Sequence, residues 1–550
     1  NFLPGESVEK QLIVINNSRE TVTCDCQWSF DLPGAVAGTK KVSLPTGEQE
    51  RIPLRFELPT QLAAGKYQLS VIVPFGASET QTDSFTIHVL SKPAPLKAAR
   101  KIALFDPKGE TAKWLDGMGM KYKSDLSDLS DYDVVILGKA ALTPDGPGPD
   151  ISRVRDGLKV IVFEQTSEVL EKRFGFRVAE YGLRQVFKRV PDHPILAGLD
   201  AENLRDWRGE ATILPPRLKY ELSPRYNGAP TVKWCDLEVT RVWRRGCRGN
   251  VASVLIEKPA RGDFLPILDG GFSLQYSPLM EYREGKGMVL FCQMDVTGRT
   301  ERDPAAARLI SNILSYVSDT SYRVRPERKA LYAGDPAGKS YLESAGVSVG
   351  SYEGGKLSPN DVLVAGPGSG QELSANAAAI ANWLKAGGHL LAVGLDQENA
   401  NAFLPLQVRT KKGEHIAAFF EPFGINSLLA GVGPADVHNR DPRELPLVSG
   451  GASVVGNGVL AKAENANVVF CQLVPWQFNP KQQLNLKRTY RRASFLMARL
   501  LANMGVGGST PLLSRFHSPV DAAKSEKRWL DGLYLDTPEE IDDPYRFFRW

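Results

Sequence analysis

The chain has 550 residues, enough for roughly three or four folded units and too many for one core. Hydrophobic residues make up 42% and charged residues 24%, the balance of an ordinary globular protein. A net charge of +4 gives no nucleic-acid footprint, and no apolar run reaches the roughly 18 residues of a membrane helix, so neither partner is expected.

Residues 1–91 alternate apolar and polar positions over 8–16, 21–28, 48–58, 65–73 and 80–90, with turn signals such as Asn16-Asn17-Ser18 between them. Short strands at this spacing predict an immunoglobulin-like β-sandwich. Cys24 and Cys26 share one face of a strand and are not expected to bond each other. The proline-containing stretch 92–100 reads as a linker.

From Lys101 the pattern changes to short apolar strands alternating with helices, which predicts doubly wound α/β structure around a parallel sheet. Strands are expected at 102–105, 134–137, 160–163 and 288–292, with helices at 111–117 and 305–317. A second unit repeats the plan, with strands at 330–333, 362–365, 390–393 and 468–471 and helices near 374–386 and 493–504. The unit boundaries are read as 101–321 and 327–507.

Landmarks recur in the same order in both units. Asp106-Pro107 answers Asp335-Pro336, and Phe163-Glu164-Gln165 answers Leu395-Asp396-Gln397. Leu196-Ala197-Gly198 answers Leu429-Ala430-Gly431, and Phe291-Cys292-Gln293 answers Phe470-Cys471-Gln472. The first unit is roughly fifty residues longer between the last two landmarks, which places an insertion at about 210–265. It carries Trp234, Trp243, Cys235, Cys247 and the basic run Arg241, Arg244, Arg245 and Arg248, and a hairpin extending the sheet edge is the expected form. Residues 508–550 read as a tail entering a further β domain, and both ends as cuts from a longer polypeptide.

In a doubly wound sheet, ligands bind at the carboxyl ends of the strands. The recurring acid-Gln doublets, Glu164-Gln165 and Asp396-Gln397, are therefore candidates for a polar pocket, against the alternative that they cap the following helices. Trp234, Trp243 and Trp476 are candidates for stacking on a sugar ring, as is Trp207 beside Arg208. His193, His389 and His438 have no counterpart in the other unit, so a shared catalytic histidine is not expected. Cys292 and Cys471 read as buried apolar thiols, and Cys235 and Cys247 as a pair able to bridge a hairpin. Gly366-Pro367-Gly368-Ser369-Gly370 lacks the Gly-Lys-Ser/Thr ending of a phosphate-binding loop. No metal site and no cofactor are expected.

The repeated unit resembles the class I glutamine amidotransferase-like, flavodoxin-like fold. Members of that family carry a Cys nucleophile on the turn after the central strand, and a His and Glu downstream. Here those turns read Glu164-Gln165-Thr166 and Leu395-Asp396-Gln397, and neither carries Cys. The loops after the late strand, at 293–297 and 472–476, carry no His. No catalytic residue is therefore assigned, because acyl transfer of this type needs both groups. A sandwich followed by such units resembles the non-catalytic region of large bacterial β-galactosidase-type glycoside hydrolases, where a domain of this fold serves trimer assembly. The resemblance implies a structural or assembly segment of an exported carbohydrate-active protein, with other domains of its own polypeptide or further copies as partners. Two other classes stay open: a carbohydrate-binding module, and a hydrolase with an unrecognised site at the Glu164 and Asp396 turns.

Overall fold

The computed structural model describes residues 1–34, 36–75, 79–93, 100–210, 221–226, 229–234, 237–239, 248–319, 326–441, 443–479, 483, 486–519 and 529–531; within 210–248, and at residue 181, it describes backbone only. It is a multidomain chain rich in β-sheet, with mixed sheets carrying the helices.

The N-terminal strands are β1 (Ser7–Ile15), β2 (Val22–Phe30), β3 (Val36–Leu44), β4 (Gln49–Glu57), β5 (Gly65–Phe75) and β6 (Glu79–Val89). β1 pairs with β4, the other four run in the order β3-β2-β5-β6, and the two sheets enclose one apolar core. Alternation decides which face is buried: Ile52, Leu54 and Phe56 of β4 point inward while the residues between them face solvent. β3 is absent from the sequence reading. Its Gly38, Lys40 and Lys41 weaken the alternation, yet Gly38 is required because the Trp28 ring occupies the space of any Cβ there.

The first α/β unit contains β7 (Ile102–Phe105), β8 (Val134–Leu137), β9 (Lys159–Val162), β10 (Val178–Leu183), β11 (Ala252–Glu257), β12 (Asp263–Gly270), β13 (Tyr276–Glu284) and β14 (Gly287–Cys292), with helices α1 (Glu110–Gly117) and α2 (Pro304–Ser318). Its sheet runs β10-β11-β13-β14-β9-β8-β7, with β12 beside β13. β7, β8, β9 and β14 are parallel, and β8 and β9 are buried along their whole length, as helices on both faces require. α2 is capped by Asp303, whose side chain accepts from Ala305 N, and turns Leu309, Ile310, Ile313, Leu314 and Val317 onto the sheet.

The second unit contains β15 (Lys329–Ala333), β16 (Val349–Ser351), β17 (Asp361–Ala365), β18 (His389–Val393), β19 (Arg409–Glu414), β20 (Glu444–Gly450), β21 (Ser453–Val455), β22 (Leu460–Lys462) and β23 (Asn467–Cys471). Its sheet order is β16-β15-β17-β18-β23-β22-β21, parallel as far as β23 and antiparallel beyond. Chain order among the parallel strands is thus 2-1-3-4-5, a doubly wound arrangement with its crossover between β15 and β17. Where β16 would stand in the first unit there is only a parallel bridge between Ala103 and Lys123.

Several elements differ from expectation. The helix expected at 374–386 is two, α4 (Ser369–Ser374) and α5 (Ala377–Lys385), broken where Asn376 leaves helical geometry and its Oδ1 accepts from Gly355 N. α3 (Pro336–Ser344) and α6 (Gln397–Asn401) complete the helices before α7 (Lys487–Asn503), which begins six residues earlier than 493. Its first turn is basic and reads as solvent-facing, but Lys487, Arg488, Arg491 and Arg492 are buried. The insertion does not form one hairpin on the sheet edge. Strands at 221–226, 229–234 and 237–239 make a separate three-stranded sheet, while β11 enters the main sheet between β10 and β13. The segment read as a departing tail instead returns to the first unit over its described part. Leu512, Leu513 and Phe516 join that unit's core, Arg173 donates to Arg515 O, and Arg177 pairs with Asp531 at 2.6 Å.

Candidate functional site

The carboxyl ends of the parallel strands can be compared residue by residue through the sheet register. In the first unit Phe291 of β14 pairs with Val162 of β9, and in the second Phe470 of β23 pairs with Ala392 of β18. The two Phe-Cys-Gln landmarks being equivalent, Phe163 stands level with Val393, Glu164 with Gly394, and Gln165 with Leu395. The doublets that look alike in sequence are therefore two residues out of step in space. The glutamines of the late strand follow the spatial register. Gln293 donates through Nε2 to Gln165 O at 2.9 Å and accepts from Gln165 N at 2.8 Å, while Gln472 donates to Leu395 O at 3.1 Å.

Glu164 and Gln165 are buried and committed. Glu164 accepts from Thr297 N at 2.9 Å and from Thr297 Oγ1 at 3.0 Å, so it ties the central turn to the loop after β14 instead of capping a helix. Burial pushes its carboxyl up to about 8, with neighbouring Asp295 adding like-charge repulsion. Gln165 uses Nε2 on Gly138 O and Phe163 O and receives Leu142 N on Oε1, tying the loop after β8 to the turn after β9. Neither amide nor carboxyl is presented to solvent.

Asp396 and Gln397 lie on the wall of an open cleft of about 530 Å³ at the carboxyl ends of β17 and β18. Asp396 caps α6: its Oδ1 accepts from Asn399 N at 2.9 Å and Asn399 Nδ2 at 2.8 Å, and these bonds hold its carboxyl below the usual range. Gln397 anchors the antiparallel pair β19–β20, which also lines the cleft, by accepting from Thr410 N and donating its own N–H to Thr410 Oγ1. Lys412 and Glu444 of that pair line the cleft together with Asp396 and Glu398.

The remaining candidates are scattered. Trp476 is half-buried against Tyr341, at 5.5 Å between ring centroids, and donates to Asp335 at 3.3 Å. Trp207 is fully buried, with its indole N–H on Asn203 O, which leaves no face for a sugar ring. The side chains of Trp234, Trp243, Cys235 and Cys247 lie outside the described residues. His193 is buried beside Glu281, with 3.5 Å between Nε2 and Oε2. His389 starts β18 at the edge opposite the cleft, and burial lowers it to about 4. His438 meets Arg492. Cys24 and Cys26 are free thiols 4.0 Å apart, Cys292 and Cys471 are buried on equivalent strands, and burial pushes Cys471 up to about 12. No group of three metal-ligating side chains occurs among the described residues.

No family model and no curated protein matches this chain. Similar solved structures include the sporulation control protein Spo0M of Bacillus subtilis, at 16% identity, 17% of this chain, 46% of that one and a TM-score of 0.13. A family 123 glycoside hydrolase from Clostridium perfringens shares 11% identity over 24% of this chain and 32% of its own, with a TM-score of 0.14. The exo-chitosanase CsxA of Amycolatopsis orientalis shares 14% over 31% and 22%, with a TM-score of 0.13. The chain spans less than half the length of each. At these scores the likeness transfers neither an architecture nor an activity.

The Leu-Ala-Gly landmarks have a structural explanation that sequence reading missed. Asn312 of α2 donates both amide hydrogens to Ile195 O and Ala197 O, at 2.9 and 2.8 Å. Asn503 of α7 does the same to Leu428 O and Ala430 O, both at 2.9 Å. Gly198 and Gly431 follow with φ of 69° and 80°, turning the chain away from the helix. The signal was present as Arg308-Leu309-Ile310-Ser311-Asn312 against Arg499-Leu500-Leu501-Ala502-Asn503.

Proposed function

We propose that this chain is a non-catalytic scaffold and assembly segment of a larger exported, carbohydrate-active protein. In this reading an immunoglobulin-like sandwich (1–91) and a linker (92–100) precede two degenerate amidotransferase-like units (101–321 and 327–507). The observation that carries it is the register at the central turn. A duplicated active site would place the same reacting group there twice, and Glu164 stands level with Gly394. The buried thiols of Cys292 and Cys471 support it, because a thiol pushed far up by burial supplies no thiolate nucleophile. So does α7, whose residues are buried almost throughout and which joins the two units through Arg491–Glu257 at 3.2 Å and Arg499–Asp263 at 2.8 Å. The carbohydrate context rests on the resemblance of the whole layout to the non-catalytic region of β-galactosidase-type hydrolases.

The test is a panel of nitrophenyl glycosides incubated with the intact chain, together with mass photometry. No release above the buffer rate and a species larger than the monomer are expected. Turnover that disappears in Glu164→Gln would replace the scaffold with an enzyme, and a strict monomer at all concentrations would remove self-assembly.

A further inference from the structure

The first two turns of α7 run against the electrostatics of a helix. An N-terminus is the positive end of the helix dipole and favours acids. Yet α7 opens with Lys487, Arg488, Arg491 and Arg492, with no acid in its first turn and no side-chain cap. All four are at least nine-tenths buried. Arg488 and Arg492, one turn apart, share a face. Arg492 donates to His438 Nδ1 at 2.7 Å, but its buried Nε has no hydrogen-bond partner. Among the described residues no carboxylate lies within ion-pair distance of it. Burial, with Arg488 and Arg440 nearby, pushes this guanidinium down to about 10. A buried cation so placed calls for an anion.

The chain itself brings carboxylates to this place. Leu530 packs in the core of the first unit, and Asp531 pairs with Arg177 at 2.6 Å. Asp531 also lines a small recess together with Arg491, Glu257 and Lys258. Its charge adds to burial in raising the phenol of Tyr490, which lies in the first turn of α7. Residues 532–550 lie outside the described residues. Their sequence gathers Asp536, Glu539, Glu540, Asp542 and Asp543 within 536–543, with no Lys or Arg among them. Asp536 is five residues past Asp531, a tether of up to roughly 17 Å, whereas Lys487 to Arg492 covers only about 8 Å of helix.

We propose that the acidic stretch 536–543 docks on the first two turns of α7, its carboxylates accepting from Arg488, Arg491 and Arg492. The docked stretch supplies the negative charge that the helix N-terminus lacks, and it straps the chain over the seam where Arg491 meets Glu257 of the first unit.

Two measurements on the intact chain test it. Zero-length carbodiimide cross-linking, read by mass spectrometry on an equal mixture of 14N and 15N chains, is expected to join Lys487 to a carboxylate of 536–543 within one chain. Its yield is expected to fall in molar salt. The second measurement is hydrogen exchange on a variant carrying Asp536→Asn, Glu539→Gln, Glu540→Gln, Asp542→Asn and Asp543→Asn together. Exchange at the start of α7 is expected to quicken about tenfold in this variant, while the parallel strands keep their protection. Equal exchange at the start of α7 in the two chains overturns the proposal. So does failure of any cross-link to Lys487 to form within one chain, and links that join only different copies would make a second copy the occupant. Neither readout involves turnover or oligomer mass, so the proposal stands or falls separately from the scaffold reading.

Discussion

Glu164 shows how far a single side chain can depart from its look in sequence. Placed before a helix it reads as a cap, but its carboxyl reaches across to Thr297 and is buried with Asp295 nearby. Its folded value of about 8 lies above the ordinary 4.5, so the unfolded chain releases this proton first. The stability it contributes is complete below pH 4.5 and falls as the pH rises to about 8, by on the order of 1 kcal/mol per pH unit. Glu164→Gln keeps both Thr297 bonds, one accepted and one donated, and cannot ionise. Melting curves from pH 5 to 9 are expected to show a shallower decline for this variant and a higher melting temperature above pH 8. Parallel curves would mean that the carboxyl titrates normally. Asp396, by contrast, does what its sequence position suggests and caps α6.

At the scale of elements, the recurring Leu-Ala-Gly motif is a latch and not a ligand site. In each unit an asparagine of the last helix satisfies two loop carbonyls that the positive-φ glycine leaves facing inward. Asn503 is buried, whereas Asn312 is half-buried and one of its bonds is open to water. Asn503→Ala is therefore expected to cost about 1–3 kcal/mol in chemical unfolding, and Asn312→Ala less, since water can replace the lost donor. Equal losses would refute the burial argument. Parallel strands were legible because runs such as Val134–Leu137 are apolar on both faces. β3 and the start of α7 were not, since their lysines and arginines read as solvent-facing.

Across the whole molecule, the two α/β units meet through buried charge. Lys258 of the first unit lies 3.1 Å from Asp269 and 3.3 Å from Asp436 of the second, and Arg189 pairs with Asp269 at 2.6 Å and reaches Val432 O. Removing one member of such a set strands the others, at a cost of about 3–5 kcal/mol. Lys258→Met is expected to lower amide protection in both units together in hydrogen exchange, because Asp436 is left buried beside Asp269. Loss confined to the first unit would show that the seam does not couple them. The sequence alone determined the strand-helix alternation, the recurrence of the landmarks and the absence of Cys from both central turns, since each depends on residue type at short range. The tertiary structure decided that the two acid-Gln doublets are out of register, that the first is buried while the second lines a cleft, and that a basic helix is buried between the units. Those outcomes depend on which strands pair and which charges meet across hundreds of residues, and local pattern does not encode them.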